Sequence, residues 1–321
     1  MAKFDTKMDR YPFVPIGRRP TFEWPVGKRL AVYFAINIEA FEFGRNPGPD
    51  FTTMPAPPFH RGYAYRDFGN RVGVWRLLDL FQEFEIPLSV LANTAVYDAY
   101  PELMDAFRRR GDEFVGHGRT NSERQIDMTE AEERQMLSEV RKRFEKEEGR
   151  APRGWLGPFI SQSTKTPELL VEQGFDYMLD WFFDEQPQLF RTDRGPILSV
   201  PYPSMEMNDL PAFFNRKVSD ADFADLLIDA FDEQLQDSEK YPLIFSCALH
   251  TFVTGQPHRA RQLRRALAHI AAHRDRVWIT TAGQIATHAL SLPEGTLVEP
   301  PTIATNKVAY SSQGATGAVG V

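Results

Sequence analysis

Continuous apolar runs recur along this 321-residue chain, and they constrain its fold more than any other feature. They are "RLAVYFAIN" (29–37), "IPLSVLA" (86–92), "DEFVGH" (112–117), "GWLGP" (154–158), "FDYMLD" (175–180), "ILSVPYP" (197–203), "LIFSCALH" (243–250) and "RVWITT" (276–281). A strand with one face in water alternates polar and apolar residues, whereas a strand buried on both faces reads as an unbroken apolar run. Eight such runs separated by amphipathic segments predict parallel strands with helical crossovers. The expected architecture is α/β, a closed or nearly closed parallel (β/α) barrel of about seven to eight strands. An open doubly wound sheet is the alternative, but no Gly-rich phosphate loop follows the first run.

The intervening segments carry helix signals. Thr129 and Glu132 form a capping box, Met136, Val140 and Phe144 make a stripe at i, i+4 and i+8, and Gly149 supplies a stop. A second helix starts at Ser219 and a third near Pro257. The arginines of the third (Arg259, Arg261, Arg264, Arg265) read as a solvated outer face rather than a binding patch. Three stretches look irregular. Residues 1–28 form a Pro- and Arg-rich N-terminal arm, 44–70 a long loop rich in Pro, Gly and aromatics, and 296–321 a flexible C-terminal tail. Residues 29–295 then make one catalytic barrel domain. A loop as long as 44–70 inside a compact domain is usually functional.

Composition excludes whole classes of function. The net charge of −7 argues against nucleic acid or an anionic membrane surface as partner. The single cysteine, Cys247, allows neither an internal disulfide nor a Cys-based zinc site, and its apolar setting predicts burial. No signal-peptide core or membrane span is visible. The expectation is a cytoplasmic protein acting on a small-molecule substrate, assembled as a homo-oligomer through its terminal arms.

In a parallel barrel the active site lies at the C-terminal ends of the strands. Those ends carry Asn37 and Glu39, Asn93, His117, Gly157 with Pro158, Asp180 with Trp181, Glu206, and His250. Two histidines and at least two carboxylates on separate strand ends make a hydrolytic constellation. His250 reads either as a general acid or as a buried histidine bonded to a backbone carbonyl. Glu39 reads either as a general base or ligand, or as a solvated carboxylate at a loop start. Of the remaining histidines only His60, on the long loop, merits attention.

The segments "FAINIEAFEFG", "VGHGRTNSE", "RGWLGP", "YMLDW" and "LHTFVTGQPHR", in that order, resemble the polysaccharide deacetylase superfamily. Together with "RVGVWRLLDLF" (71–81) they are most similar to its cytoplasmic branch of metal-independent allantoinases and cyclic-imide hydrolases, over roughly residues 29–290. The resemblance implies a distorted (β/α) barrel and hydrolysis of non-peptide carbon–nitrogen bonds. Metal-dependent members carry two adjacent aspartates in the first motif, a base and then a ligand, where this chain has Glu39 and Ala40. They carry two ligating histidines four apart in the second, where it has His117 and Asn121. The resemblance makes Glu39 the base and His250 the acid, with Arg153 and Asp180 as tuning groups.

Alanine cannot ligate and an amide is a poor substitute for imidazole, so two of three metal positions are changed, whereas catalytic zinc usually takes three protein ligands. The expectation is therefore no cofactor and no metal. If a metal is present, His117 and Glu39 would hold it, with Asn121 as a third contact; His60 or Asp67 is the only rescue from the loop. Without a metal, His117, Asn121 or backbone N–H groups would stabilise the oxyanion, and Asn37, Trp155 and Trp181 would contact the substrate. The function read from these residues is ring-opening of a small cyclic amide of the hydantoin, imide or lactam type. The alternatives are a metal-dependent (zinc) deacetylase of an N-acetylated sugar or polysaccharide, and a catalytically inactive barrel that only binds a ligand.

Overall fold

The computed structural model describes residues 9–44 and 60–300. Among them one sheet holds nine strands: β1 (Leu30–Ile38), β2 (Leu88–Ala92), β3 (Glu113–Gly116), β4 (Gly154–Trp155), β5 (Tyr177–Met178), β6 (Gln188–Thr192), β7 (Gly195–Ser199), β8 (Leu243–His250) and β9 (Trp278–Thr280). The order is β6-β7-β5-β4-β3-β2-β1-β8, and β9 pairs with the first half of β1, on residues 31–33. Every pairing is parallel except the β6–β7 hairpin. The sheet curls into a half-barrel rather than closing. Its open seam is spanned by the Ile244 N–H to Glu185 carbonyl bond (2.9 Å) and by a bridge between Asn208 and Ala248. The ninth strand, β6, is absent from the sequence reading because it lies at the sheet edge. Its residues alternate between buried and half-buried, so it offers no continuous apolar run.

Residue parity along the strands sorts two cores. On β1, Leu30, Val32, Phe34, Ile36 and Ile38 face the helical layer, and Ala31, Tyr33 and Ala35 face the barrel interior. On β8, Leu243, Phe245, Cys247 and Leu249 face the helices, and Ile244 and Ala248 face inward. The inward face alternates small and large residues, Ala31, Tyr33 and Ala35 on β1, which fit the taper of a narrow curled sheet. The N-terminal end of the interior is plugged by the helix Ala282–Ser291, whose Ile285, Ala286 and Ala289 fill it. Its Gly283 N–H is accepted by Glu113 Oε2 (2.8 Å), and that carboxylate's Oε1 accepts Tyr177 Oη–H (2.7 Å). With that end of the interior filled, the cavity inside the sheet opens at the C-terminal strand ends.

The capped helix runs over Glu130–Glu148 with its Thr129–Glu132 capping box formed, and the other two run over Asp220–Asp237 and Pro257–Ala272. The arginines of the last pair with acids of neighbouring helices, Arg259 with Asp220 (3.2 Å) and Arg265 with Asp225 (2.6 Å). The 44–70 loop needs correction at its far end. His60–Phe68 is helical and passes through one wide π turn, Gly69–Gly73, into the helix Val74–Glu83. Residues 45–59 of that loop and 301–321 of the tail lie outside the described residues. Gly69 and Gly73 look like turn residues in sequence but are packing residues. A Cβ on Gly69 would lie 2.4 Å from Thr251 Oγ1, and one on Gly73 would lie 2.1 Å from the Thr251 carbonyl. They let this helix press against the turn that follows β8.

The described part of the N-terminal arm lies on its own barrel, through Arg10 to Glu168 (2.7 Å), Arg19 to Asp184 (2.7 Å) and the buried Trp24, whose indole N–H donates to the Leu243 carbonyl (3.0 Å). No helix among the described residues is long and apolar enough to cross a membrane.

Candidate active site

Parity carries the inward face of each strand to its C-terminal end and just beyond. After Ala31, Tyr33 and Ala35 the next inward positions of β1 are Asn37 and Glu39. After Val115 of β3 comes His117, and after Ala248 of β8 comes His250. These side chains meet in a cavity of about 310 Å³ at the C-terminal end of the barrel, a volume suited to a small molecule. Asn121, Arg66, Phe41, Tyr202 and Asn208 also line it.

Glu39 stands at the centre. Its Oε1 accepts Asn121 Nδ2–H (2.8 Å) and lies 3.7 Å from His117 Nε2 and 3.8 Å from His250 Nε2. Three asparagines fix the backbone that carries it. Asn70 donates to the Glu39 carbonyl (2.8 Å), Asn93 accepts the Ala40 N–H (2.9 Å) while donating to the His117 carbonyl, and the Asn121 N–H bonds the Ala40 carbonyl (2.8 Å). Burial alone would push the Glu39 carboxyl up. The facing His117 and His250 imidazoles, with Arg66, outweigh it and hold the carboxyl below its ordinary range. A carboxylate that stays ionised is a base, and one oxygen, Oε2, is buried with no hydrogen-bond partner.

His250 is oriented by a residue absent from the sequence reading. Its Nδ1–H donates to Asp209 Oδ1 (2.7 Å), and its backbone N–H donates to Oδ2 of the same carboxylate (2.8 Å), which also takes the Thr254 hydroxyl (2.5 Å). Asp209 is fully buried, at the first position of the helix Asp209–Phe214 capped by Asn208. Burial opposes charge on His250, yet Asp209 first and Glu39 second hold its pKa above the ordinary histidine value. When protonated, the ring presents its Nε2–H to the cavity, 3.8 Å from Glu39 Oε1. His117 is pinned otherwise. Its Nδ1 bonds the Leu156 carbonyl (2.8 Å), so that nitrogen bears a hydrogen, and only the buried, unpartnered Nε2 faces the cavity.

The structure separates the expected residues into two groups. Asn37, Glu39, His117, Asn121 and His250 converge; Asn37 donates to Tyr202 Oη (3.2 Å) and to the Leu249 carbonyl (3.2 Å). Arg153, Asp180, Trp155 and Trp181 do not line the cavity. Arg153 immediately precedes β4, at the N-terminal end of the barrel, where it pairs with Asp176 and donates to Thr287 Oγ1 (2.7 Å). Trp155 has the parity of the helical layer and donates to Gln125 Oε1 (3.1 Å). Asp180 has outward parity too, one residue after the inward Leu179. It sits under the turn at Gly157, whose N–H it accepts (2.8 Å), and burial pushes its pKa up to about 7. Trp181 packs on Tyr11 and Phe190, its N–H on Gln162 Oε1 (2.8 Å). Glu206 pairs with Arg216 (2.8 Å) and His60 is exposed.

The charge expected of Arg153 comes instead from Arg66, buried on the helix His60–Phe68 with its guanidinium 4.9 Å from the Phe41 ring and 5.8 Å from that of Phe252. Sequence offers an N-cap signature at Asn208 but nothing that aims Asp209 at His250, and Arg66 is hidden in a stretch that reads as loop.

The donor set does not fit a catalytic metal. Two groups of suitable chemistry, Glu39 Oε2 and His117 Nε2, are buried without partners. The third unpartnered atom is the amide oxygen of Asn121, whose nitrogen is spent on Glu39. Ala40 supplies only a buried methyl, and among the described residues no three His, Cys, Asp or Glu side chains are grouped to hold a metal ion.

No family model matches the chain. It is 28% identical over 312 residues to a Schizosaccharomyces pombe protein named as a polysaccharide deacetylase, covering 85% of this chain and 92% of that one. A peptidoglycan deacetylase of Helicobacter pylori is 24% identical over 292 residues, covering 79% and 94%. Among solved structures, that of PuuE allantoinase matches with a TM-score of 0.75 at 28% identity, covering 87% of this chain and 97% of that one.

Proposed function

The chain belongs to the polysaccharide deacetylase superfamily and is a hydrolase of carbon–nitrogen bonds other than peptide bonds, and from that premise we propose that it opens a small cyclic amide without a metal ion. The observation that carries this reading is the arrangement of Glu39 between two imidazoles, with alanine and asparagine where metal ligands are expected. Ionised Glu39 takes a proton from the water that attacks the ring carbonyl. Asn121 holds that carboxylate by its Oε1, which leaves Oε2 without a partner of its own to take the proton. The developing oxyanion lies in the positive field of Arg66 and the His250 imidazolium, inside a cavity of low polarity where such a field is strong. His250 then gives its Nε2 proton to the departing nitrogen, and Asp209 steadies the ring. Water is consumed and one C–N bond breaks, to a carboxylate and a neutral nitrogen; the proton lost by the new acid restores His250, and the one on Glu39 passes to solvent.

A ring amide whose nitrogen is acylated or carbamoylated on both sides leaves with less proton assistance than a simple acetamide. That supports hydantoins and imides over an N-acetyl sugar for a site whose electrophile is a field of side chains. The test is hydrolysis of hydantoin, succinimide and N-acetylglucosamine by protein stripped with a chelator. Ring opening is expected to survive, and Glu39→Gln and His250→Ala are each expected to lower kcat by about 10² or more. Activity that vanishes on chelation and returns with zinc would refute the metal-free step. Deacetylation of the sugar with no ring opening would favour a deacetylase.

A further inference from the structure

The cavity has two unlike sides. Its catalytic groups are polar, but Leu156, Phe159 and Ile160 line it from one segment and Met205, Leu210 and Pro211 from another. Phe159 and Ile160 are unusual in their backbone, with φ of 61° and 54°. Left-handed backbone is costly for any residue with a Cβ and most costly for a β-branched one. The turn is over-determined from beneath. The Ile160 N–H bonds the Gly157 carbonyl (2.8 Å), the Gly157 N–H bonds Asp180 Oδ1 (2.8 Å), and the Ile126 N–H bonds Ser161 Oγ (3.1 Å). Gly157 itself has no room for a side chain, since a Cβ would lie 2.4 Å from the Ser161 carbonyl oxygen. Strain fixed in this way at the wall of a site marks a place where side-chain position matters. Ile160 is 45% exposed and Met205 56% exposed although both line the cavity, so the mouth as well as the wall is apolar.

We propose that the substrate carries an apolar substituent, alkyl or aryl, beside the scissile amide, and that Phe159 and Ile160 with Met205 select it. This rests on the ring-opening reading above and names its substrate class. A sugar hydroxyl or a ureido arm placed against these six side chains would lose its water and gain no side-chain partner. An apolar substituent there gains by leaving water.

The experiment is a kinetic series on one ring: hydantoin and its 5-isobutyl, 5-benzyl and 5-ureido derivatives, with kcat/KM measured for the parent protein and for Phe159→Ser, Ile160→Ser and Phe159→Leu. The 5-benzyl compound is expected to exceed hydantoin by roughly tenfold or more, chiefly in KM, with the ureido compound at or below hydantoin. Each serine variant is expected to cut the benzyl-to-hydantoin ratio about fivefold or more, and the leucine variant to keep most of it. Hydantoin or the ureido derivative equal to or better than the benzyl compound would overturn the substituent inference while leaving ring opening in place. An unchanged ratio in both serine variants would overturn the assignment to this wall. Turnover of no hydantoin or imide, beside turnover of an N-acetyl amino sugar, would instead sink the reading beneath it.

Discussion

Asp209→Asn is the substitution that most directly interrogates the acid half of the site. The native carboxylate takes three hydrogen bonds, from His250 Nδ1–H (2.7 Å), the His250 backbone N–H (2.8 Å) and Thr254 (2.5 Å). An amide of the same shape keeps one acceptor oxygen and loses the charge. Unit charges about 4 Å apart interact by about 4 kcal/mol at an effective dielectric constant near 20, an upper bound here. A charge-assisted hydrogen bond is worth about 1.5–3 kcal/mol net. At roughly 1.4 kcal/mol per decade, kcat/KM at pH 8 should fall about ten- to hundredfold.

The pH profile gives the sharper readout. Activity needs Glu39 ionised and His250 protonated, so it should fall below the lowered pKa of Glu39 and again above the raised pKa of His250. The plateau then spans at least the interval between their ordinary values, 4.5 and 6.5. Asp209→Asn removes the largest influence that raises the His250 pKa, while the burial that lowers it remains, so the basic limb alone should move to lower pH and activity should partly recover near pH 6. Ring opening followed by loss of amide absorbance across pH 4–10, with thermal melts to show a folded variant, measures both. A basic limb that stays in place would refute the role given to the Asp209–His250 pair.

Two further predictions concern stability. Burial raises the pKa of Asp180 to about 7 from an ordinary 3.8, so the folded state holds a proton that the unfolded chain has lost over that interval. The resulting penalty is absent below pH 3.8, grows as pH rises, and is complete above about pH 7. Asp180→Asn should therefore be more stable than the parent at pH 8, by a few kcal/mol at most since the residue is only half-buried, and the difference should vanish towards pH 4. A pH-independent difference in denaturant midpoint would contradict this. Gly73→Ala places a Cβ 2.1 Å from the Thr251 carbonyl oxygen and should cost about 1–3 kcal/mol in the same assay. It should also weaken kcat, because the helix it displaces leads back to Arg66; a melt within about 0.5 kcal/mol of the parent would show that the contact relaxes freely.

The legible part of this fold was the part that buries both faces of a strand. All eight runs named from sequence contain strands, and Glu39, His117 and His250 follow from taking strand ends as the site. Strand ends alone do not discriminate, because successive residues face opposite sides. Counting by twos from the inward residues of β1 would have kept Asn37 and Glu39, and counting back from Asp180 would have sent it to the helical side with Met178. Motif resemblance alone gives Arg153 and Asp180 their tuning roles, and the parity of neither residue supports them. Asp209 and Arg66 were out of reach for a different reason. Each acts across a gap of many residues, Asp209 on a histidine 41 positions later, and no local periodicity records such a meeting.

Donors and acceptors in the cavity are unevenly matched, and the imbalance selects among substrates. Glu39 Oε2 and Asn121 Oδ1 are buried acceptors with no partner, and His117 Nε2 joins them whenever that ring is neutral. A nucleophilic water supplies two hydrogens. The N–H of an imide or hydantoin, between its two carbonyls, supplies a third, so parent ring and water together can satisfy all three atoms. Methylation of the ring nitrogen takes that hydrogen away and leaves one buried acceptor unpaired, at a cost of about 1–3 kcal/mol. N-methylsuccinimide should therefore be opened roughly ten- to hundredfold more slowly than succinimide in kcat/KM. Its rate with hydroxide in free solution, measured alongside, corrects for intrinsic reactivity. If the corrected rates are equal, the ring N–H meets none of these atoms. The unpaired acceptors would then belong to water alone.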